Sequence, residues 1–517
     1  METPLPLPSA AAFSLLSALF LYLTFRAYRS LWWKPKKLEK LLWQQGIKGN
    51  PYRVLYGDMK EEMRGFREAW SRPMDGLHHR IVPRVVPFMH QTVQKYGKMC
   101  IIWAGKTPRV LIWDSEMVKE VFSEKSRQIR KPPPNPLISI LAQGVASLEG
   151  EEWAKRRRTI TPAFHLEKLK RMVPAFATSC EDLIKRWDGL VGTQGSCEVD
   201  VSPEFQNLTG DVISRTAFGS SYEEGKRIFE LQKEQAELAI EAARVPYIPG
   251  YRFIPTAKNR RRMWIYREIR TILREMIDKK LKYIETEGSE SGDLLGLLLQ
   301  FTSGDDKKYE IKIEDVIEEC KLFYFAGQET TSTLLTWTMI LLSMHPVWQQ
   351  RAREEVQKTC GNNTPNMESI TQLKIVTMIF HEVLRLYPPV TFLLRHTYKE
   401  TKLGEFCFPA GVDFGLPILL MHHDRELWGD DAEEFNPERF SEGISKATKR
   451  GQNAFYPFGW GPRICLGQSF AMIEAKMALA IILQNFSFEL SPSYSHAPYT
   501  VITLQPQHGA HVTLRRL

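Results

Sequence analysis

Seven cysteines are spread through 517 residues, and one of them has an unusual setting. Cys465 lies in "PFGWGPRICLGQSF" (Pro457 to Phe470), among three glycines and one arginine, with no second cysteine nearby. The stretch that follows, "QSFAMIEAKMALAIILQNF" (Gln468 to Phe486), has helical composition, so the thiol sits at a helix start. Orphan N–H groups and the helix dipole favour an anion there, which predicts a lowered thiol pKa. Gly459, Gly461 and Gly467 permit turns closed to other residues and let the backbone approach a flat ligand. Arg463, two residues away, is placed to pair with a carboxylate. A lone thiolate, close-approach glycines and an arginine together suit ligation of haem iron, where thiolate donation favours O–O cleavage. A buried structural cysteine beside a glycine turn is the plainer alternative. The fixed spacing of Phe458, Gly461, Arg463, Cys465 and Gly467 argues against it.

Other residues stand out for the same reason. "AGQETT" (Ala326 to Thr331) sets polar groups inside an apolar, helix-like stretch from Cys320 to Met344. Threonine is a mediocre helix former, and its plain role there is to bond back to its own helix. Glu382 and Arg385 in "EVLR" are three apart and share one helix face. The remaining cysteines are scattered and never spaced C-x-x-C, against a disulfide framework or zinc site and for a reducing compartment.

The pattern F-x-x-G-x-R-x-C-x-G resembles the haem-binding loop of the cytochrome P450 superfamily. "AGQETT" resembles its oxygen-binding groove, "EVLR" its E-x-x-R, "PERF" (Pro437 to Phe440) the arginine segment completing that motif, and "WAKRR" (Trp153 to Arg157) its W-x-x-x-R. The likeness covers about Trp33 to Leu517. Several longer stretches, "LRLYPPV" among them, are similar to plant microsomal enzymes related to secologanin synthase, a group that includes triterpenoid and gibberellin oxidases. The proline-rich hinge common behind microsomal anchors is absent, with Gly46 to Pro51 in its place.

The resemblance implies a mainly α fold with a minor β-sheet, haem b (iron protoporphyrin IX) as cofactor, and Cys465 as axial ligand of its iron. It implies that Thr330 hydrogen-bonds the oxygen being reduced while Glu329 feeds protons, and that Ala326 and Gly327 leave room for dioxygen. Trp153, Arg157, Arg395 and Arg463 become candidates for the haem propionates, and Phe458 and Gly467 for the cofactor loop. Glu382, Arg385 and Arg439 are expected to form a structural ion-pair network. The implied reaction inserts one atom of O2 into a C–H bond of a hydrophobic small molecule, a terpenoid of iridoid, gibberellin or triterpenoid type. Electrons would come from NADPH through NADPH–cytochrome P450 reductase. A haem-thiolate isomerase or dehydratase lacks need of the acid–alcohol pair Glu329–Thr330, and a haem sensor needs no proton relay. The expected substrate pocket is lined by Pro132 to Ala146, Phe323 to Ala326, Val390 to Leu394 and Tyr499 to Leu504.

Elements must hold these groups in place. "MCIIWAGKTPRVLIWD" predicts two strands about a turn, with Asp114 or Ser115 capping the next helix. "RKPPPNP" must be loop. "RVPYIPGYRFIP" (Arg244 to Pro255) interrupts two long amphipathic helices, "EGSESGDL" is a polar break, and "PYTVITLQPQHGAHVTL" returns to strand. No repeat is present. For Arg156 and Arg158 solvated charge is expected.

The address is set at the front. Leu5 to Phe25 is 21 uncharged residues, enough to cross a bilayer as a helix. Six Lys/Arg follow between Arg26 and Lys40, against Glu39 alone. No basic segment precedes the span, which opposes a cleaved signal peptide. The positive-inside rule puts the body in the cytosol and Glu2 across the membrane. The expected organisation is an anchor over residues 1–30, a basic linker over 31–55 and a haem-thiolate domain over 56–517, single-pass in the endoplasmic reticulum. The Cys320 to Met344 stretch carries Lys321 and Glu329, costly in lipid, and reads as a buried core helix. The formal charge of +9 comes with no basic, aromatic-interleaved tract, so no nucleic-acid partner is expected.

Overall fold

The unbroken apolar run forms a helix over Leu7–Tyr28, whose 22 residues would extend about 33 Å. Its large side chains face outward: Phe13 is 74% exposed and Phe20 66%. A protein interior does not absorb this surface, so lipid is its natural solvent, and among the described residues no other helix meets the length and hydropathy needed to cross a membrane. The computed structural model describes residues 7–123, 128–220, 222–287, 293–302, 311–449, 451 and 453–517. Glu2, and residues 288–292 of the polar break, lie outside them.

The segment expected as a basic linker over 31–55 is instead built into the body. A π-helical turn at Arg29–Trp33 leads to helix Lys34–Gln44, which buries Leu38 and Leu42. Tyr52 donates its hydroxyl to the Leu31 carbonyl at 2.6 Å, and its N–H reaches the buried Glu39 carboxylate. Lys48–Gly49 then pairs in parallel with Cys100 and Ile101. A Cβ at Gly49 would lie 2.2 Å from the Ile101 carbonyl oxygen, so only glycine permits this edge pairing. The apolar members of the segment, hidden behind its lysines, decide the outcome.

Helices dominate, with four small sheets among the described residues. The largest sheet has six strands in the order Lys48–Gly49, Cys100–Ala104, Thr107–Leu111, Asp413–Leu416, Leu393–Thr397 and Ile129–Arg130. Strands 100–104 and 107–111 form the predicted hairpin. Asp114 caps helix Ser115–Phe122 by accepting from the N–H groups of Glu116 and Met117. The C-terminal stretch divides into a short hairpin, Pro498–Thr500 with Leu504–Pro506, and strand His511–Arg516, which pairs with Phe486–Leu490 and Ser196–Asp200.

The central helix, Ile313–Met344, contains the second apolar stretch and is core, with Trp337, Ile340, Leu341 and Leu342 fully buried. It packs along helix Val201–Ile213. The approach is close: a Cβ on Gly327 would meet Ile213 Cγ1 at 2.8 Å. Gly327 therefore serves helix packing as well as any ligand beside it. Helices Tyr222–Ala243 and Ala257–Glu287 flank the predicted interruption, which holds a 3₁₀ turn at Tyr251–Phe253.

Candidate active site

A cavity of about 340 Å³ lies between the central helix and the Cys465 loop. Packed cores rarely hold voids larger than a water, so this volume is a ligand site. Its walls bring together segments far apart in sequence: Ala326 and Thr330 of the central helix, Phe458, Gly459 and Arg463 to Gly467 of the cysteine loop, and Trp153, Arg157 and Arg395.

The Cys465 loop is held by its backbone. The Cys465 N–H donates to the Phe458 carbonyl at 2.9 Å, and Gly459 N–H to Tyr456 at 3.0 Å. Gly459 and Gly461 have φ of +73° and +70°. At Gly461 a Cβ would also lie 2.7 Å from the Phe122 carbonyl, so glycine is needed twice over. Helix Gln468–Asn485 starts three residues after the cysteine. The lowered thiol pKa expected from that helix start is not found in the protein alone. Cys465 is exposed to the cavity, yet the protein around it desolvates the thiol and pushes its pKa up, outweighing the Gly467 N–H and the Arg157 charge, which both act to lower it. Desolvation of a thiolate exceeds one hydrogen bond and a distant cation. A bound metal reverses that balance, since coordination deprotonates a thiol outright.

The side wall is strongly cationic. Lys131, Arg157, Arg395 and Arg463 all line it. Arg463 donates to the Leu148 carbonyl at 2.7 Å, pairs with Glu149 at 2.7 Å and stacks 3.9 Å above the Trp153 ring. Arg395 projects from strand Leu393–Thr397 over the Phe122 ring at 5.3 Å. Burial, then the charges of Arg463 and Arg395, push Lys131 down to about 8. Sequence reasoning passed over Lys131 because it sits in the proline-rich loop. These cationic side chains gathered on one wall suit the carboxylates of an anionic ligand. Haem, with two propionates at one edge and an iron open to thiolate, fits this donor set.

On the central helix the two expected catalytic groups point to different surroundings. Thr330 lines the cavity and donates its hydroxyl to the Ala326 carbonyl at 2.8 Å, the back-bond that threonine makes in helices. Glu329 is not in the cavity wall. Its carboxylate accepts from Thr503 Oγ1 at 2.7 Å and from Gln505 Nε2, and burial pushes its pKa up. Ala326 borders the cavity as expected.

Beneath the loop, Arg385 grips Glu382 with two bonds of 2.7 Å, both residues fully buried on helix Lys374–Leu386. Arg385 also donates to the carbonyls of His422, Ala432 and Glu434. Arg439 stands 3.7 Å from Glu382 and 2.8 Å from Asp431. These three therefore meet, and they lie outside the cavity wall.

Arg158 is exposed, as expected, but Arg156 is not solvated. It pairs with Asp315 at 3.2 Å and Glu319 at 3.4 Å. Glu319 accepts from Val145 N–H at 3.0 Å, and burial raises its pKa to about 7. A Cβ at Gly144, where φ is +74°, would lie 2.6 Å from that carboxylate. The residues around 144–146 are thus clamped to the central helix, a link no linear motif announces. Of the expected substrate segments, Val145, Ala146, Phe323, Ala326, Val390 and Leu393 reach the cavity. Tyr499 to Leu504 does not; Ile502 packs instead in a separate apolar cluster with Leu141, Ala236, Ala239 and Phe325.

A sequence model for cytochrome P450 matches residues 77–510. The chain belongs to the cytochrome P450 family. It is similar to cytochrome P450 CYP72A616 of Paris polyphylla, at 57% identity over 98% of each chain. Cytochrome P450 72A15 of Arabidopsis thaliana is 52% identical over 98% of this chain and 99% of its own. The 7-deoxyloganic acid hydroxylase of Catharanthus roseus is 50% identical over 97% of each. This P450 is accordingly a plant-type monooxygenase that uses haem iron, O2, a redox partner and a hydrophobic substrate, and its apolar N-terminal helix associates it with a membrane.

Proposed function

We propose that this P450 hydroxylates a terpenoid, with haem b held by Cys465. The observation that carries the reading is one cavity lined by both Thr330 and Cys465, with apolar side chains making up much of the rest of its wall. Phe323, Leu322 and Val390 exclude water there, as pockets for apolar ligands do. The 50% identity to an enzyme named for hydroxylating 7-deoxyloganic acid supports a terpenoid skeleton.

Haem bound there would supply dioxygen activation and C–H oxidation. The propionates would be held by Arg157, Arg395 and Arg463, with Lys131 and Trp153. Thr330 would present its hydroxyl to the reacting oxygen, leaving its Ala326 bond. Glu329, its pKa raised by burial, would pass protons from the side of Thr503 and Gln505 rather than from within the cavity. The balanced reaction is RH + O2 + NADPH + H⁺ giving ROH + H2O + NADP⁺. Both electrons would arrive through NADPH–cytochrome P450 reductase on the cytosolic face of the endoplasmic reticulum. The basic cluster after the span supports that orientation. Microsomes holding the full chain and a reductase, incubated with a terpenoid panel and NADPH, should form a product heavier by one oxygen. Carbon monoxide binding without turnover of any terpenoid would overturn the substrate class.

A further inference from the structure

The loop that gives Val145 and Ala146 to the haem-binding cavity also borders a second cavity of about 350 Å³. Leu137 and Ile140 form one side, and Met263 and Tyr266 of helix Ala257–Glu287 the other. The turn at Tyr251–Phe253 adds Arg252 and Phe253. No Asp or Glu is among the lining residues, while two arginines are.

Arg262 is the informative one. Only 4% of it is exposed, yet no carboxylate among the described residues lies within ion-pair distance. Its neighbours differ: Lys258 pairs with Glu241 at 2.8 Å, Arg261 with Glu234 at 2.6 Å, and Arg270 with Glu318 at 3.1 Å. Two other buried arginines, Arg84 and Arg353, are saturated by different means. Arg84 donates to three carbonyls and to Gln507, and Arg353 to two carbonyls and two glutamines. Arg262 has only Asn259 Oδ1 at 3.0 Å and the Leu238 carbonyl at 2.8 Å, and its Nε is buried with no acceptor. Those two bonds tie the turn to the helix through Asn259, which itself holds the carbonyls of Tyr251 and Ile254. A neutral amide could do as much. A guanidinium in this place adds a buried charge that is costly to leave unpaired: Glu241 attracts it from beyond pairing distance and is itself paired with Lys258.

We propose that this cavity binds an apolar molecule bearing a carboxylate, the acid group set against Arg262 and the skeleton against Leu137, Ile140, Met263 and Phe253. Arg252, exposed beside the mouth, adds attraction. The site is separate from the haem-binding cavity. It rests on the terpenoid reading for the ligand's skeleton alone. An acid group selected here would favour carboxylated substrates over neutral ones on their way to, or alongside, the reaction.

The test uses the haem-loaded full chain in nanodiscs, with equilibrium dialysis of abietic acid and dodecanoic acid, each against its methyl ester. At least one acid should bind tenfold or more tightly than its ester. Arg262→Gln should weaken that acid about tenfold and leave the ester unchanged, Arg262→Lys should retain most of the preference, and Arg252→Gln should cost two- to threefold. An intact carbon monoxide band in each variant shows that it has folded. Binding at this site leaves the haem absorption unchanged at concentrations that saturate the dialysis signal. No acid preference for either pair, equal loss of acid and ester in Arg262→Gln, or a haem shift that tracks occupancy would each overturn the proposal. Acid binding that depends on Arg262 without any terpenoid oxidation would leave this site standing and remove the terpenoid reading. Oxidation of neutral terpenoids without acid preference would do the reverse.

Discussion

Among single residues, Cys465 is the proposed ligand of the haem iron, and its surroundings in the protein work against its ionisation. The protein around it desolvates the thiol and raises its pKa, and coordination to a metal would deprotonate it. Cys465→Ser should therefore lose the reduced carbon monoxide band at about 450 nm, which requires thiolate ligation; a surviving band would displace the assignment. Thr330 and Glu329 are adjacent in sequence but serve different surroundings. Thr330→Ala should keep haem yet send reduced oxygen to peroxide, read as NADPH consumed without product. Unchanged coupling would return Thr330 to the plain helix role shown by its bond to Ala326. Glu319 gives a pH prediction. Its folded pKa, about 7, is above the ordinary 4.5, so its contribution is whole below pH 4.5 and is lost as pH rises through 7. The wild-type denaturation midpoint should fall between pH 5 and 8, by about 3 kcal/mol at most from this group. Glu319→Gln should flatten that fall, and identical slopes in both proteins would refute the linkage.

Among elements, the helix Lys374–Leu386 matters through one buried pair. Arg385 distributes five hydrogen bonds between Glu382 and three carbonyls of the segment 422–434, so it joins that helix to the chain that leads toward the Cys465 loop. Lysine carries the charge but not the planar fork. Arg385→Lys should accumulate protein without haem and lower stability by about 3–5 kcal/mol, the range for breaking a buried pair. The readout is the ratio of haem absorbance to protein at equal expression. Wild-type loading in Arg385→Lys would show that charge alone suffices. The contact of Gly144 with Glu319 works in the same way, fixing Val145 and Ala146 against the central helix.

At the scale of the whole molecule, an exposed apolar helix is joined to a body through helix Lys34–Gln44 and strand Lys48–Gly49, both packed into that body. The anchor and the sheet are thus mechanically continuous. Sequons begin at Asn207, Asn362 and Asn485. Asn362 is exposed and is the most accessible to a glycosylating enzyme. With the body in the cytosol all three should be unmodified, and the protein should stay with membranes after a high-salt wash. Removing Met1 to Phe25 should release much of it. A mobility shift on endoglycosidase treatment would reverse the orientation and with it the cytosolic reductase.

The sequence by itself determined what is local. The glycines around Cys465, a cap at Asp114 or Ser115, the hairpin at 100–111 and the apolar span are all set by residues within a few positions of one another, where backbone geometry and hydropathy act. Glu382 and Arg385 were legible as a pair because a helix turn brings them together. What only the tertiary structure decided depends on desolvation and on partners hundreds of residues apart. Desolvation by the surrounding protein opposed the expected shift of Cys465, long-range packing made a linker into an edge of the sheet, and the central helix turned Glu329 toward Thr503 and Gln505. Lys131 joined the cationic wall, Arg156 found Glu319, and Arg262 was left without an acid. Charge counts and spacing cannot show these outcomes, because the energy of a charge is set by what surrounds it in space.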